Sequence, residues 1–210
     1  MTVKLTDLFK DDKAFTDFIR NILIQHAVPP SFKVEIYDSM EPSMEEHIGP
    51  MGKSTVCNTL FVKESLLDDI RNGKSEFPKD TLGFILCYVD RVENKINSQF
   101  SDVPGYEFID PIKNIEFMFV HECRHIQQFM LLQKITNTTE HELIPLYSDL
   151  VNFDINTNGY ENSLLERDAN KYGFYTITGK DEISNQSYGF NVDTILKDLL
   201  KAYNPEKGGI

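Results

Sequence analysis

Apolar residues recur at helical spacing over 5–26, at Leu8, Phe15, Phe18, Ile19, Ile22 and Leu23, and the stretch stops at Pro29-Pro30. Residues 33–37 then alternate as a strand does, and 55–62 return to strand character through Val56, Leu60 and Val62. Between them 38–54 is polar with Pro and Gly, so two short strands joined by a wide loop are expected. The pattern predicts a short helix over 65–72 and a longer one over 79–96, apolar through its middle, before a Gly/Pro/Ser loop. Asp110-Pro111 opens a further helix to about Ile135, because Asp caps free backbone N–H groups and Pro suits the first helical position. Residues 137–140 break it. A short helix over 143–150, a loop rich in Asn and Asp over 152–159, a helix over 161–174 and a final amphipathic helix over 192–203 complete the reading. The expected class is α+β, helix-dominated with a small sheet. No repeat or linker interrupts the chain, so one domain over 1–210 is expected. Residues 1–105 supply the N-terminal helices and a small edge sheet, and 106–210 the helices with the candidate chemistry and the C-terminal helix.

Charge narrows the function. Against 21 Lys and Arg stand 33 Asp and Glu, a formal net charge of −12 over 210 residues. That balance disfavours nucleic acid as a partner, since affinity for phosphates comes from basic side chains displacing counterions. No apolar run approaches the roughly 20 residues that span a bilayer, and no apolar block near the N-terminus precedes a cleavage site. No membrane role is expected, and the expected location is the cytoplasm. Cys57, Cys87 and Cys123 are odd in number and far apart, as suits free thiols in a reducing compartment.

The most informative stretch is His121-Glu122-Cys123-Arg124-His125, an H-E-x-x-H within the helix that begins after Asp110. At about 100° per residue the two histidines lie roughly 40° apart on one face, so both imidazoles can reach one ion. Glu122, one step round, would stand beside that ion as a base for water. Cys123 falls about 200° from His121, on the opposite face, where a small thiol packs well. Gln128 shares the histidine face and could orient a ligand or touch substrate.

A catalytic zinc site usually has three protein ligands. An extended H-E-x-x-H-x-x-G-x-x-H form is excluded, because Gln128 and Leu131 stand where Gly and His would be. The best third candidate is Glu166, in Glu166-Arg167-Asp168-Ala169-Asn170-Lys171-Tyr172-Gly173. Asn170, four residues on, can hydrogen-bond a ligating imidazole, and Ala169 and Gly173 keep that side slim for close helix packing. Glu166 also completes a capping box with Ser163, a purely local role. His141, Asp168 and Cys57 are the other candidates for the third place.

On these residues the chain resembles the zinc metallopeptidases in which H-E-x-x-H is completed by a downstream Glu, the gluzincins. Glu166-Arg167-Asp168-Ala169-Asn170-Lys171-Tyr172 resembles the E-x-x-A-N-x-F signature of small bacterial and phage peptidases of the ImmA/IrrE type. The segment from Val120 to Gln128 is similar to the H-E-x-x-H-x-x-Q form of phage-associated peptidases. The resemblance covers about 112–174. It implies a zincin-like fold and one zinc ion held by His121, His125 and Glu166. Glu122 would be general base and acid, Asn170 a supporting residue, and a peptide or protein the substrate, laid along an edge strand for which 58–62 is the candidate. For a phage-encoded protein the cytoplasm would be the host's. Arg124, at a place commonly small in that family, departs from the pattern. Candidates for an oxyanion donor are His141, Tyr160 and Tyr175; the helical angle turns Tyr172 away from Glu166 into the core.

Other signals are weaker. Gly49-Pro50-Met51-Gly52-Lys53-Ser54 lacks the first Gly of a phosphate loop, which would fall at His47. In the calcium-loop-like run from Asp154 to Gly159 the twelfth position is Leu165, not Glu. Two alternatives to a peptidase remain: a zinc-binding structural or interaction module without turnover, and a metal amidase with Cys57 as ligand. The second lacks the Gly-Cys-Leu motif of deformylases.

Overall fold

Gly83–Tyr88, a continuous apolar run, is a strand and not part of the long helix expected over 79–96. The computed structural model describes residues 2–40, 56–62, 64–97, 110–179 and 191–203. In it this segment is β3, the middle of a three-stranded sheet of order β1-β3-β2. β1 (Phe32–Tyr37) pairs with it in parallel and β2 (Cys57–Phe61) antiparallel. The two expected strands are present, but each pairs with β3 and not with the other. A central strand buried on both faces needs no alternation, so period alone does not separate it from a buried helix. Gly83 is required by the close approach of both neighbours. A Cβ there would lie 2.6 Å from the Leu60 carbonyl oxygen and 2.7 Å from the Phe32 ring.

The helix expected over 5–26 divides into α1 (Leu5–Leu8) and α2 (Asp12–Gln25). Asp11 accounts for the break: its carboxylate accepts the Ala14 N–H at 2.8 Å and caps α2. α3 is Glu64–Arg71, and α4 (Val89–Asn97) follows β3 directly. α5 (Pro111–Thr136) starts at an Asp110 cap that accepts the Ile112 N–H at 2.9 Å, and it ends on Asn137, left-handed at φ 51.

α6 (Glu140–Asn158) is one helix where 143–150 and a following loop were expected. The Asn and Asp residues read as loop formers are there for another purpose. Asp154 is fully buried and accepts from Asn158 Nδ2 at 2.8 Å, Ser163 Oγ at 2.8 Å and the Leu165 N–H at 2.9 Å. It thereby ties α6 to the start of α7, and its oxygens are already engaged, which disposes of the calcium-loop reading. α7 (Leu164–Thr178) begins three residues later than expected, after a 3₁₀ turn over Tyr160–Asn162. α8 is Val192–Tyr203. The wide loop expected over 38–54, including 49–54, lies mostly outside the described residues, as do the loop after α4 and the polar stretch before α8.

α5 crosses the core, with Phe119, Val120, Cys123 and Ile126 fully buried. One cluster of buried side chains draws on α1, α2, the inner face of the sheet and every helix from α5 to α8. Over β2 the Phe61 ring stacks 4.5 Å from Phe129 of α5 and 5.1 Å from Tyr147 of α6. At the α5–α7 seam a Cβ on Gly173 would come within 2.9 Å of the Phe117 ring, and Ala169 is fully buried. The slim face expected of α7 is what lets the two helices meet. No helix among the described residues is long and apolar enough to cross a membrane.

Candidate metal centre

His121, Glu122 and His125 lie mid-way along α5, and α7 lays its first turn against them. His121 Nε2 and His125 Nε2 are 3.0 Å apart. Glu166 places Oε2 3.4 Å from the first and Oε1 3.4 Å from the second. Zinc bonds of about 2.0–2.1 Å in a tetrahedron set neighbouring donors about 3.3 Å apart. Each histidine–carboxylate distance is close to that spacing, though to a different oxygen of Glu166, and one ligating atom from each of the three residues lies within 4.8 Å of the others. Ser163 Oγ accepts the Glu166 N–H at 3.3 Å, so the Ser163 half of the expected capping box forms, while the Ser163 N–H goes to the Tyr160 carbonyl and not to Glu166. The cap uses the backbone of Glu166 and leaves the carboxylate for the histidines.

A hydrogen-bond chain fixes the tautomer of His125. Gln128 is fully buried, and its amide nitrogen donates to the Leu165 carbonyl and to Asp168 Oδ2, both at 2.9 Å. Its Oε1 is therefore an acceptor, and it receives the Tyr147 hydroxyl at 3.0 Å. The same oxygen is 3.0 Å from His125 Nδ1, so Nδ1 carries the proton and Nε2 turns a lone pair toward Glu166 and His121. Gln128 thus orients the His125 ring and does not line the cleft. The His121 Nδ1 is buried without a hydrogen-bond partner, and the Asn170 side chain adds a small part to the upward shift of the ring.

The electrostatics favour positive charge at this point. Burial works to raise the Glu166 carboxyl, but the rings of His125 and His121 and the Tyr160 hydroxyl outweigh it and hold the group at about 2. Burial likewise works to lower His121, and Glu166 more than reverses it, so the ring is shifted upward. A charged carboxylate and two imidazoles are donors that could hold a divalent cation, and the proton drawn to His121 by Glu166 is what such a cation would displace.

The cluster opens into a cleft of about 500 Å³ between β2 and α6, lined among others by Thr59, Phe61, Ile144, Val151, Tyr160 and Leu165. Glu122 lines it too. It is buried, and its Oε2 accepts the Thr59 hydroxyl at 2.7 Å. Of the three candidate oxyanion donors, Tyr160 lines the cleft, as Glu166 does, and its hydroxyl helps to hold the Glu166 carboxyl down. His141 is 3.8 Å from Asp68 at the outer end of α6, and Tyr175 is half exposed near the end of α7; neither borders the cleft. Helix phase explains both: His141 lies in the first turn of α6, and Tyr175 is nine residues beyond Glu166, about 180° round.

The rival third ligands are also placed. Asp168 is taken by Arg124 across the seam, at 2.8 and 3.2 Å. The free Cys57 thiol is buried beside Cys87, its partner across the β2–β3 register, and that neighbour together with burial pushes it well up. Thr59 and Tyr147 are the site residues that sequence reading missed. Thr59 carried a signal, two residues from Cys57 and Phe61 on one face of a strand; Tyr147 carried none apart from its helix. No known protein family, characterised protein or solved structure matches the chain.

Proposed function

We propose that the protein is a zinc-dependent peptidase, with one zinc ion held by His121, His125 and Glu166 and a peptide or protein as substrate. The observation that carries the reading is the convergence of three ligating atoms on one point, with a fourth, non-ligating acid, Glu122, in the same cleft. Two imidazoles and a carboxylate also serve iron(II) in oxygenases; the neighbouring Glu122 favours hydrolysis over oxygen chemistry. The zincin-like fold and the ImmA/IrrE resemblance are part of this proposal, as is a cytoplasmic location, supported by three free cysteines.

When bound, zinc supplies a Lewis acid that polarises a carbonyl and brings the pKa of water near neutrality. Everything else falls to the chain. Gln128 holds His125 in the ligating tautomer. Glu122, with one oxygen bonded to Thr59, keeps the other to take a proton from attacking water and deliver it to the leaving nitrogen. Tyr160 turns its hydroxyl from Glu166 to the developing oxyanion. Among the described residues no strand covers the outer edge of β2, which lies along the cleft, so an extended chain can add there as a strand.

The test is Glu122→Gln in protein reconstituted with one equivalent of zinc, assayed on a peptide library by mass spectrometry. Retained zinc with cleavage lower by a factor of at least about 100 is expected. A wild-type protein that binds zinc and cleaves no peptide would instead make this a zinc-bearing interaction module.

A further inference from the structure

β2 carries two kinds of residue. Its antiparallel ladder with β3 closes through Tyr88 N–H to Val56 O at 3.2 Å and Val62 N–H to Leu82 O at 2.9 Å. In such a ladder hydrogen-bonded and non-hydrogen-bonded pairs alternate, so Asn58 and Leu60 turn their peptide groups to β3 in register with Leu86 and Phe84. Cys57, Thr59 and Phe61 turn theirs to the other edge, which is free among the described residues. These same three share the face packed on α5. Two of their side chains are spent on packing: the Cys57 thiol meets Cys87, and the Phe61 ring meets Phe129. Thr59 is the one whose side chain reaches the cluster. Its hydroxyl is 2.7 Å from Glu122 Oε2 and 3.4 Å from the Glu122 carbonyl. It makes the single hydrogen bond to that buried carboxylate among the described residues.

We propose that Thr59 is the positioning residue of the centre: its hydroxyl holds the Glu122 carboxylate in place for proton transfer, while its peptide group at the free edge pairs with the substrate strand. This rests on the peptidase reading. A glutamate has three side-chain torsions, and one anchored oxygen leaves the other with a defined direction. Without the anchor the carboxylate is free to rotate toward the cation and become a ligand instead of a base. Because the same residue offers backbone to the substrate and hydroxyl to the base, docking of an extended chain stiffens the group that moves the proton. Side-chain removal therefore acts on turnover, and pairing along the edge acts on binding.

The experiment compares Thr59→Val, which keeps the β-branched shape and removes the donor, with Thr59→Ser, which keeps the donor. Both are full-length and loaded with one equivalent of zinc. Zinc content, melting temperature, kcat and KM are measured on a peptide the wild type cleaves. The expected result is a kcat lower by about 10- to 100-fold in Thr59→Val, with KM and zinc content unchanged and kcat restored in Thr59→Ser. Should Thr59→Val fold poorly, Thr59→Ala is the second donor-free variant, with the same expectation. A donor-free variant with wild-type kcat, an equally slow Thr59→Ser, or a variant that loses zinc each overturns the proposal. Failure of the underlying reading is seen separately, as a zinc-loaded wild type that cleaves nothing.

Discussion

Two polar clusters lie within one helical turn of each other on the α5–α7 seam, and they are built in opposite ways. At the first, Arg124 meets Asp168 through two hydrogen bonds, its guanidinium lies 4.6 Å from the Tyr172 ring centre, and its remaining arm reaches Gln127 Oε1 at 3.0 Å. Donors face acceptors, and the buried charge is closed within the chain. At the second, the lone pairs of two imidazoles and a carboxylate are aimed at one point. Helix packing and burial are much the same for both, so they do not separate the two; the match of donor to acceptor does. The first cluster holds the helices together, and the second could hold a cation. Arg124 has its reason in this contact: it compensates Asp168, which is 5% exposed.

The sharpest way to break this contrast is Glu166→Ala. Zinc affinity should fall by more than the about 10- to 100-fold typical of a partner that only orients a ligand, as read by competition with a chromophoric chelator. At alkaline pH, where His121 has lost its proton and its ion pair with Glu166 has faded, the melting temperature of the metal-free protein should change little. Undiminished affinity would move the third ligand elsewhere.

Arg124→Met should do the reverse. Removing one partner of a buried ion pair leaves the other uncompensated, at a cost of about 3–5 kcal/mol. The low end is expected here, since Gln128 still donates to Asp168. Urea unfolding in the presence of a chelator measures this, and the folded fraction should still take one zinc per chain. A loss under about 1 kcal/mol would show that the pair behaves as a surface contact; a loss of zinc would show that the two clusters are one.

The contrast also explains what was legible in the sequence. Spacing within one helix is rigid, so His121, Glu122, His125 and Gln128 could be placed from 3.6-residue periodicity alone, and Ala169 and Gly173 marked the close seam. Gly83–Tyr88 was misread because a strand buried on both faces has no period of its own, and its true signal was a glycine demanded by two neighbours distant in sequence. The 152–159 segment was misread because its polar residues serve the next helix: Asp154 is buried and caps α7. Thr59 could not be connected to Glu122 at all, since that contact depends on where β2 lies across α5. Local geometry could be read; partners set by tertiary packing could not.

The smallest expected effect is the dependence of stability on pH, and its sign separates the two clusters once more. In the metal-free protein the Glu166 carboxyl is held down at about 2 against an ordinary 4.5, so its contribution is present above 4.5 and lost as pH falls toward about 2. His121 is shifted above its ordinary 6.5, so its contribution is full below 6.5 and lost as pH rises through the raised value. Together the pair stabilises the metal-free fold most between 4.5 and 6.5 and fades on the alkaline side. Zinc competes with the proton for the same lone pairs, so its stabilisation grows as pH rises. The zinc-induced increase in melting temperature should therefore widen from about pH 6 to about pH 8, and Glu166→Ala should flatten that trend while Arg124→Met leaves its slope intact. Calorimetric melts with and without zinc would decide it. A zinc effect independent of pH would mean that no proton is displaced at these rings, and that the second cluster is closed in the same way as the first.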